Sequence, residues 1–286
     1  MNIIRKGLTG FDLKYLALIF MVMDHIHYFF EFTGKVPIWF SWAGRLAAPL
    51  FLFCFIEGFF HTHDRKKYFL KIYVIAVIMG LIQFGLYNVL SFAKRGDGFI
   101  PENAMLSSFA ILFVVLQGIE WIKTKKYFIG ITAVVFPIVL PYILELAFYQ
   151  PAVSAGKSTT LFFANMINFS VLPLHTRIND GGTLTLLEGL VIYALSHFKN
   201  KRIRVYGYGA FVLLWNFGLM MLFNVPITFD NLFFYAYEWM SVFSIVFMLL
   251  YNGKRGHGNG KFFYYFYPLH VYVLYGLSIL IYTVTR

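Results

Sequence analysis

Residues 11 to 32 read FDLKYLALIFMVMDHIHYFFEF. A helix of this length is about 33 Å long, which is enough to cross the roughly 30 Å hydrocarbon core of a bilayer. Two adjacent ionisable residues, Asp24 and His25, lie well inside the stretch. Because a charged side chain at such a depth costs about 2.5–3.5 kcal/mol on insertion scales, it normally faces the protein interior. The stretch therefore predicts a membrane-spanning helix that contributes to an interior polar site.

The composition of the whole chain agrees with this prediction. Of the 286 residues, 59% are hydrophobic and 13% are charged, and the charged fraction is about half that of a soluble domain. With a mean hydropathy of +0.68, the sequence predicts an all-α, polytopic transmembrane bundle that forms one integral membrane domain from residue 1 to residue 286. The net charge of +11 then indicates cytoplasmic loops that contact anionic lipid headgroups, and not a nucleic-acid partner.

Apolar runs predict about nine membrane spans, with ten possible. They cover residues 11–32, 38–60, 68–91, 106–122, 127–149, 183–198, 205–224, 231–251 and 262–283. Residues 161–173 are also apolar but are too few to cross a bilayer. We expect them to form a short re-entrant or interfacial segment.

Basic clusters predict the orientation in the membrane. They occur at residues 5–6, 65–67, 123–126, 199–204 and 254–261. With nine spans, all five fall on one side, which the positive-inside rule assigns to the cytoplasm. We therefore expect a multi-pass protein of the cell membrane with a cytoplasmic N-terminus and an extracytoplasmic C-terminus. If residues 161–173 crossed the bilayer, the last two clusters would move outside.

Polar residues of the first two spans lie at similar depths, in the outer half of each helix, so we expect a polar site near the outer face of the membrane. Asp24 and His25 belong to the first span and Arg45 to the second. Since neighbouring residues on a helix point about 100° apart, Asp24 is expected to pair with Arg45 and not with the ring of His25. His270, two residues after Pro268, is a further histidine within a span. The polar cluster of the first two helices has two interpretations: a functional site, or a structural tie between the helices.

Several motifs taken together resemble the TraX family. They are DHI at residues 24–26, GRLAAPLF at 44–51, EG at 57–58 with HT at 61–62, NGKRG at 252–256 and FYYFYPLH at 263–270. The family is named for N-terminal acetylation of conjugative pilin. The resemblance therefore implies an acetyl-CoA-dependent membrane acyltransferase, similar to the larger group of multi-spanning acyltransferases. The acceptor, which we expect near the outer face of the membrane, stays open between a protein N-terminus, a glycan and a small molecule, since family members occur outside conjugation systems.

Acyl transfer from a CoA thioester needs a base for the acceptor's proton and donors for the oxyanion. His25 is our hypothesis for the base, because imidazole titrates near neutral pH, and His270 is the rival. Arg45 is either the donor to the thioester carbonyl or the counter-ion of Asp24.

The CoA phosphates are expected on the cytoplasmic face, at the NGKRG loop. Glycines there permit close backbone approach, and the cationic side chains neutralise phosphate. The candidate cofactor-binding residues are Asn252, Gly253, Lys254, Arg255, Glu57 and His61. We predict no metal site, because the sequence contains no helical His-x3-His pair and no cysteine pair.

Two other functions remain possible from the sequence. A proton-coupled secondary transporter would use Asp24, His25, Glu188 and Glu238 as a proton relay, although no inverted repeat is visible. A non-catalytic scaffold is disfavoured by the number of ionisable groups inside spans. Stabilisation of the folded protein by acetyl-CoA would favour the enzyme.

Overall fold

The apolar runs of the sequence form helices in the structure. The computed structural model describes residues 6–285, except for the side chain of Ser91. Twelve α-helices are present in that range, which confirms the all-α prediction. Their bounds are α1 Gly10–Phe30, α2 Trp39–Gly44, α3 Ala47–His61, α4 Arg65–Asn88, α5 Met105–Lys123, α6 Tyr127–Leu144, α7 Gln150–Ser154, α8 Ser158–Phe169, α9 Gly182–Leu195, α10 Lys201–Leu222, α11 Ser244–Leu250 and α12 Gly260–Thr285. Short 3₁₀ or π turns occur at Glu31–Thr33, Ser91–Ala93, Glu145–Tyr149, His175–Arg177, Asn231–Tyr235 and Tyr237–Phe243.

Seven helical segments of the described residues are long and apolar enough to cross a membrane. They are Gly10–Thr33, Trp39–His61, Arg65–Asn88, Met105–Lys123, Tyr127–Ser154, Lys201–Leu222 and Gly260–Thr285. They coincide with seven of the predicted spans. The other two predicted spans, 183–198 and 231–251, correspond to the shorter apolar helices Gly182–Leu195 and Tyr237–Leu250. By length and composition, these helices are those of a multi-pass membrane protein.

The segment at 161–173 forms most of α8, a helix of 12 residues. At a rise of 1.5 Å per residue it is about 18 Å long, which is too short to cross a bilayer. Its re-entrant or interfacial position stays a prediction.

Contacts group the chain into two compact units. The first comprises Met1–His61 with Glu188–Leu274, and the second comprises Thr62–Leu187 with Tyr275–Arg286. Both candidate sites lie in the first unit. The prediction of one integral membrane domain stays a prediction.

In the first unit, α1 packs against α2 and α3. A capping box begins α1: the Thr9 amide donates to Asp12 Oδ2 at 2.8 Å, and the Asp12 amide donates to Thr9 Oγ1 at 3.3 Å. The buried apolar side of α1 includes Leu13 and Ala17, and α3 contributes a longer buried set. This packing fixes the position of the polar residues near the end of α1.

The loop after α11 pairs with the chain that leads into α1. The Leu8 amide donates to Leu250 O at 2.7 Å, and the Asn252 amide donates to Leu8 O at 2.8 Å. The Gly10 amide donates to Lys254 O at 2.8 Å. These bonds hold residues 252–256 against the beginning of α1 and satisfy amides that a helix N-terminus otherwise leaves unpaired.

The second unit uses small residues for close helix contacts. A Cβ on Gly80 would lie 1.7 Å from Phe169 O, and a Cβ on Gly118 would lie 2.9 Å from Gly130 O. Such contacts are typical of helices packed within membranes, where small residues let backbones approach.

Candidate functional site

Asp24 and Arg45 form an ion pair between α1 and the turn that follows α2. Arg45 Nη2 donates to Asp24 Oδ1 at 2.8 Å, and Arg45 Nε donates to Ser41 O at 3.3 Å. The side chains are 30% (Arg45) and 23% (Asp24) exposed. Gly44 allows this approach, because a Cβ at that position would lie 2.3 Å from Asp24 Cβ. The pairing expected from the sequence is therefore present.

His25 and His270 meet beside this ion pair, although 245 residues separate them in sequence. His25 Nδ1 lies 3.2 Å from His270 Nε2, and the ring centroids are 4.8 Å apart with the planes nearly perpendicular. Each ring also contacts the helical carbonyl four residues before it, His25 Nδ1 at Met21 O (2.8 Å) and His270 Nδ1 at Phe266 O (3.0 Å). The structure thus brings together all four residues proposed for the chemistry.

A second histidine of α1, His27, is buried on another side of the helix. Its Nδ1 lies 3.0 Å from Ser41 Oγ. This contact ties α1 to α2, so His27 has a structural explanation that does not involve the His25–His270 pair.

A cavity of about 350 Å³ lies in the same unit, near the beginning of α1. Its lining residues are Phe53, Glu57, Lys201, Arg204, Tyr251, Asn252 and Gly253. Arg204 Nη1 donates to Glu57 Oε1 at 2.6 Å, with the two side chains only 14% and 16% exposed. The guanidinium also lies 4.1 Å from the centre of the Phe53 ring, a cation–π distance. The cavity wall therefore contains two cationic side chains, Lys201 and Arg204, and one carboxylate, Glu57, so its net charge is +1.

Lys201 of this cavity wall donates hydrogen bonds to backbone carbonyls at the C-terminal end of α11. Its Nζ donates to Leu249 O at 2.9 Å and to Tyr251 O. A cation at a helix C-terminus is stabilised by the helix dipole. The ammonium is therefore held in place beside the cavity.

The six predicted cofactor-binding residues separate into two groups. Glu57, Asn252 and Gly253 line the cavity. Lys254 and Arg255 are not among the lining residues, although their backbone carbonyls accept from the amides of Gly10 and Phe11. The exposed His61 is also outside the lining, with Nδ1 2.9 Å from Glu57 O.

Sequence reasoning missed Lys201 and Arg204 as cavity residues. In the sequence these two residues served only as part of a basic cluster that predicts orientation. Their spacing of three residues places both side chains on one helix face, and this could have indicated a shared site. The pairing with Glu57, 147 residues away, has no local signal.

Glu188 and Glu238, the two other acids of the transporter alternative, differ in their surroundings. Glu188 is buried. Glu238 is exposed. Within residues 6–285, no three His, Cys, Asp or Glu side chains group as metal ligands would.

Comparisons with known proteins give the family. The family model described as TraX protein matches residues 10–179 and 180–278. The probable fimbrial assembly protein FimC, serogroup H1, of Dichelobacter nodosus is 25% identical over 277 residues, which cover 93% of this chain and 94% of that protein. No solved structure matches the chain significantly. Because the family model extends over nearly all of the sequence, the chain belongs to the TraX family.

Proposed function

We propose that the protein is a membrane acetyltransferase, which transfers acetyl from acetyl-CoA to an amine or hydroxyl acceptor. The observation that carries the proposal is the position of His25. One ring nitrogen of His25 contacts Met21 O and His270, while no hydrogen bond within residues 6–285 involves the other, Nε2. An imidazole nitrogen with an unused lone pair, held beside an ion pair, is suited to general base catalysis.

In the proposed reaction, the acceptor nitrogen or oxygen attacks the thioester carbonyl carbon while His25 Nε2 takes its proton. The resulting tetrahedral oxyanion needs a donor. Arg45 is the cationic candidate, because its guanidinium uses Nη2 for Asp24 and Nε for Ser41 O and has further N–H groups. The C–S bond then breaks, and the CoA thiolate leaves and receives the proton from the imidazolium.

The cavity near the beginning of α1 is our proposed position for the CoA phosphates. Lys201 and Arg204 supply the charge, and Gly253 lets a ligand approach the backbone, since a Cβ there would meet nothing within 4 Å. Residue 24 lies 14 residues beyond Gly10 on α1, about 21 Å along the helix. The pantetheine arm would have to cover this distance to bring the thioester to His25.

The acceptor to test first is the N-terminus of a pilin subunit. TraX membership and the similarity to a probable fimbrial assembly protein of Dichelobacter nodosus support a role in modifying pilins or in fimbrial assembly. A mass-spectrometric comparison of cells with and without the protein would detect acetylation of the pilin N-terminus, and also acetylation of other amines or hydroxyls.

Binding is tested by thermal unfolding of the purified protein with acetyl-CoA and with CoA. Ligand at one hundred times its Kd should stabilise the fold by about 2.7 kcal/mol. Lys201→Met and Arg204→Met should weaken this stabilisation, whereas Lys199→Met, a change of an exposed residue outside the cavity lining, should not.

Catalysis is tested by acetyl transfer to a pilin peptide. His25→Gln should lower the rate by about 10²- to 10⁴-fold, which is the usual contribution of a general base. His63→Gln, a change of an exposed loop residue, is the matched control. Full activity of His25→Gln would refute the assignment. Proton uptake by proteoliposomes, without stabilisation by acetyl-CoA or CoA, would favour the transporter.

A further inference from the structure

The contact between His25 and His270 distinguishes the roles of two histidines that the sequence leaves as rivals. We propose that His270 is a positioning residue, which holds the His25 ring with Nε2 as its basic nitrogen and does not itself take the acceptor's proton. The proposal rests on the acetyltransferase function proposed above, and its spectroscopic test does not depend on activity.

The carbonyl contacts fix the protonation of both neutral rings. Carbonyl oxygens only accept hydrogen bonds, so His270 Nδ1, 3.0 Å from Phe266 O, carries a proton. By the same argument His25 Nδ1, 2.8 Å from Met21 O, carries one. A neutral imidazole has one N–H, so the Nε2 atoms of both rings have lone pairs. His25 Nδ1–H can then donate to His270 Nε2 as well, across the observed 3.2 Å.

The two rings differ in whether a nitrogen is left to take a proton from the substrate that receives the acetyl group. His270 uses Nδ1 for Phe266 O and Nε2 for His25, so neither of its nitrogens is left to take a proton. The His270 ring is also stacked on Phe266, with centroids 5.1 Å apart and an interplanar angle of 9°. Only His25 Nε2 of this pair has no hydrogen-bond partner within the described residues. His25 is therefore the base, and His270 is its support.

Support from His270 matters most after proton transfer. Once His25 Nε2 takes a proton, the ring is positively charged and its Nδ1–H bonds strengthen, because hydrogen bonds from charged groups are about twice as strong as neutral ones. His270 Nε2 and Met21 O are the two acceptors. The other charged groups facing His25 are Asp24 and Arg45, which pair with each other.

A pair of variants at residue 270 separates positioning from proton transfer. His270→Gln places an amide oxygen near the position of Nε2, so it keeps an acceptor for His25 but has no titratable ring. His270→Leu removes the acceptor. We expect His270→Leu to lower acetyl transfer by about 10- to 100-fold, the effect of one hydrogen bond to a charged group, and His270→Gln to recover most of that loss. His25→Gln should lose about 10²- to 10⁴-fold in the same assay, as expected for the loss of the base.

Two results of this assay would overturn the proposal. If His270→Gln were as inactive as His25→Gln, His270 would itself carry the proton. If His270→Leu retained full activity, the contact would have no positioning role. Thermal unfolding of each variant checks that it is folded.

The test that does not depend on activity is ¹⁵N NMR of histidine-labelled protein in bilayers, with His25 and His270 assigned by comparison with the His25→Gln and His270→Gln variants. At neutral pH both rings should show a protonated Nδ1 and an unprotonated Nε2. In His270→Leu the His25 Nδ1 signal should shift toward a weaker hydrogen bond. A His25 ring protonated at Nε2 would refute the proposal. If the wild-type protein transfers no acetyl group, the proposed function fails, and the spectrum alone decides whether His270 holds His25 as described.

Discussion

At the scale of single residues, Gly44 decides whether α1 and α2 can meet at the polar site. A Cβ at this position would lie 2.3 Å from Asp24 Cβ and 2.4 Å from Asp24 Oδ1. Gly44→Ala should therefore push the helices apart and lower the free energy of unfolding by about 1–3 kcal/mol, as overpacking does. Thermal unfolding in detergent measures the change.

A matched control for this prediction is Gly218→Ala in α10. A Cβ there would meet nothing within 4 Å, and alanine is favoured over glycine within a helix by about 0.5–1 kcal/mol. We expect Gly218→Ala to be neutral or stabilising. Equal effects of the two substitutions would contradict the close contact at Gly44.

Because Asp24 and Arg45 form an ion pair, we expect the stability losses of their single variants not to add up in the double variant. Asp24→Asn alone leaves a guanidinium without its carboxylate and should destabilise the protein by about 2 kcal/mol, between the values of exposed and buried pairs. The double variant Asp24→Asn/Arg45→Gln should lose less stability than the sum of the two single variants. Thermal unfolding of the four proteins gives the coupling free energy. Additive losses would mean that the pair contributes nothing beyond its separate side chains.

Asp97, in the loop between α4 and α5, predicts a pH dependence. The Arg95 guanidinium, by hydrogen bonding to Asp97, holds the pKa of that carboxyl below its usual range. Because the folded pKa is lower than the unfolded one, the stabilisation is present above the unfolded value and is lost as the pH falls through the folded value. In an unfolding series from pH 6 to pH 3, Asp97→Asn should be less stable than wild type at pH 6, and the difference should shrink toward pH 3. A difference that is constant with pH would be inconsistent with this ion pair.

At the scale of elements, the loop at residues 252–256 depends on two glycines of unequal importance. Gly253 and Gly256 both have positive φ, at +77° and +78°. A Cβ on Gly253 would meet nothing within 4 Å, whereas a Cβ on Gly256 would lie 2.2 Å from Oγ1 of Thr9, the capping residue of α1. Gly253→Ala should therefore cost only the backbone strain of about 1–2 kcal/mol. Gly256→Ala should cost more, and thermal unfolding without ligand should show this order.

At the scale of the whole molecule, the basic clusters predict a testable topology. Cys54→Ala removes the only cysteine of the chain, so single cysteines can then be introduced at exposed lysines. With nine spans, an impermeant maleimide added to intact cells should label Lys35→Cys and Lys157→Cys but should not label Lys66→Cys or Lys199→Cys. Labelling of Lys199→Cys from outside would mean that residues 161–173 cross the membrane.

The sequence by itself determined the class of this protein, the positions of its long apolar helices and its family. Runs of apolar residues report helices and membrane crossing directly, since both depend on local composition and length. The motifs carry the family resemblance because they are contiguous in the chain. Asp24 and Arg45 could be paired in advance, because consecutive helices are antiparallel neighbours and depth can be counted along each.

Only the tertiary structure decided which distant residues share a site. His25 is 245 residues from His270, and Glu57 is 147 residues from Arg204. Such contacts depend on how non-consecutive helices pack, and no period or spacing of the chain encodes that. The cations that line the cavity are Lys201 and Arg204, and not Lys254 and Arg255 as the sequence predicted. The backbone carbonyls of Lys254 and Arg255 instead accept hydrogen bonds from amides at the beginning of α1.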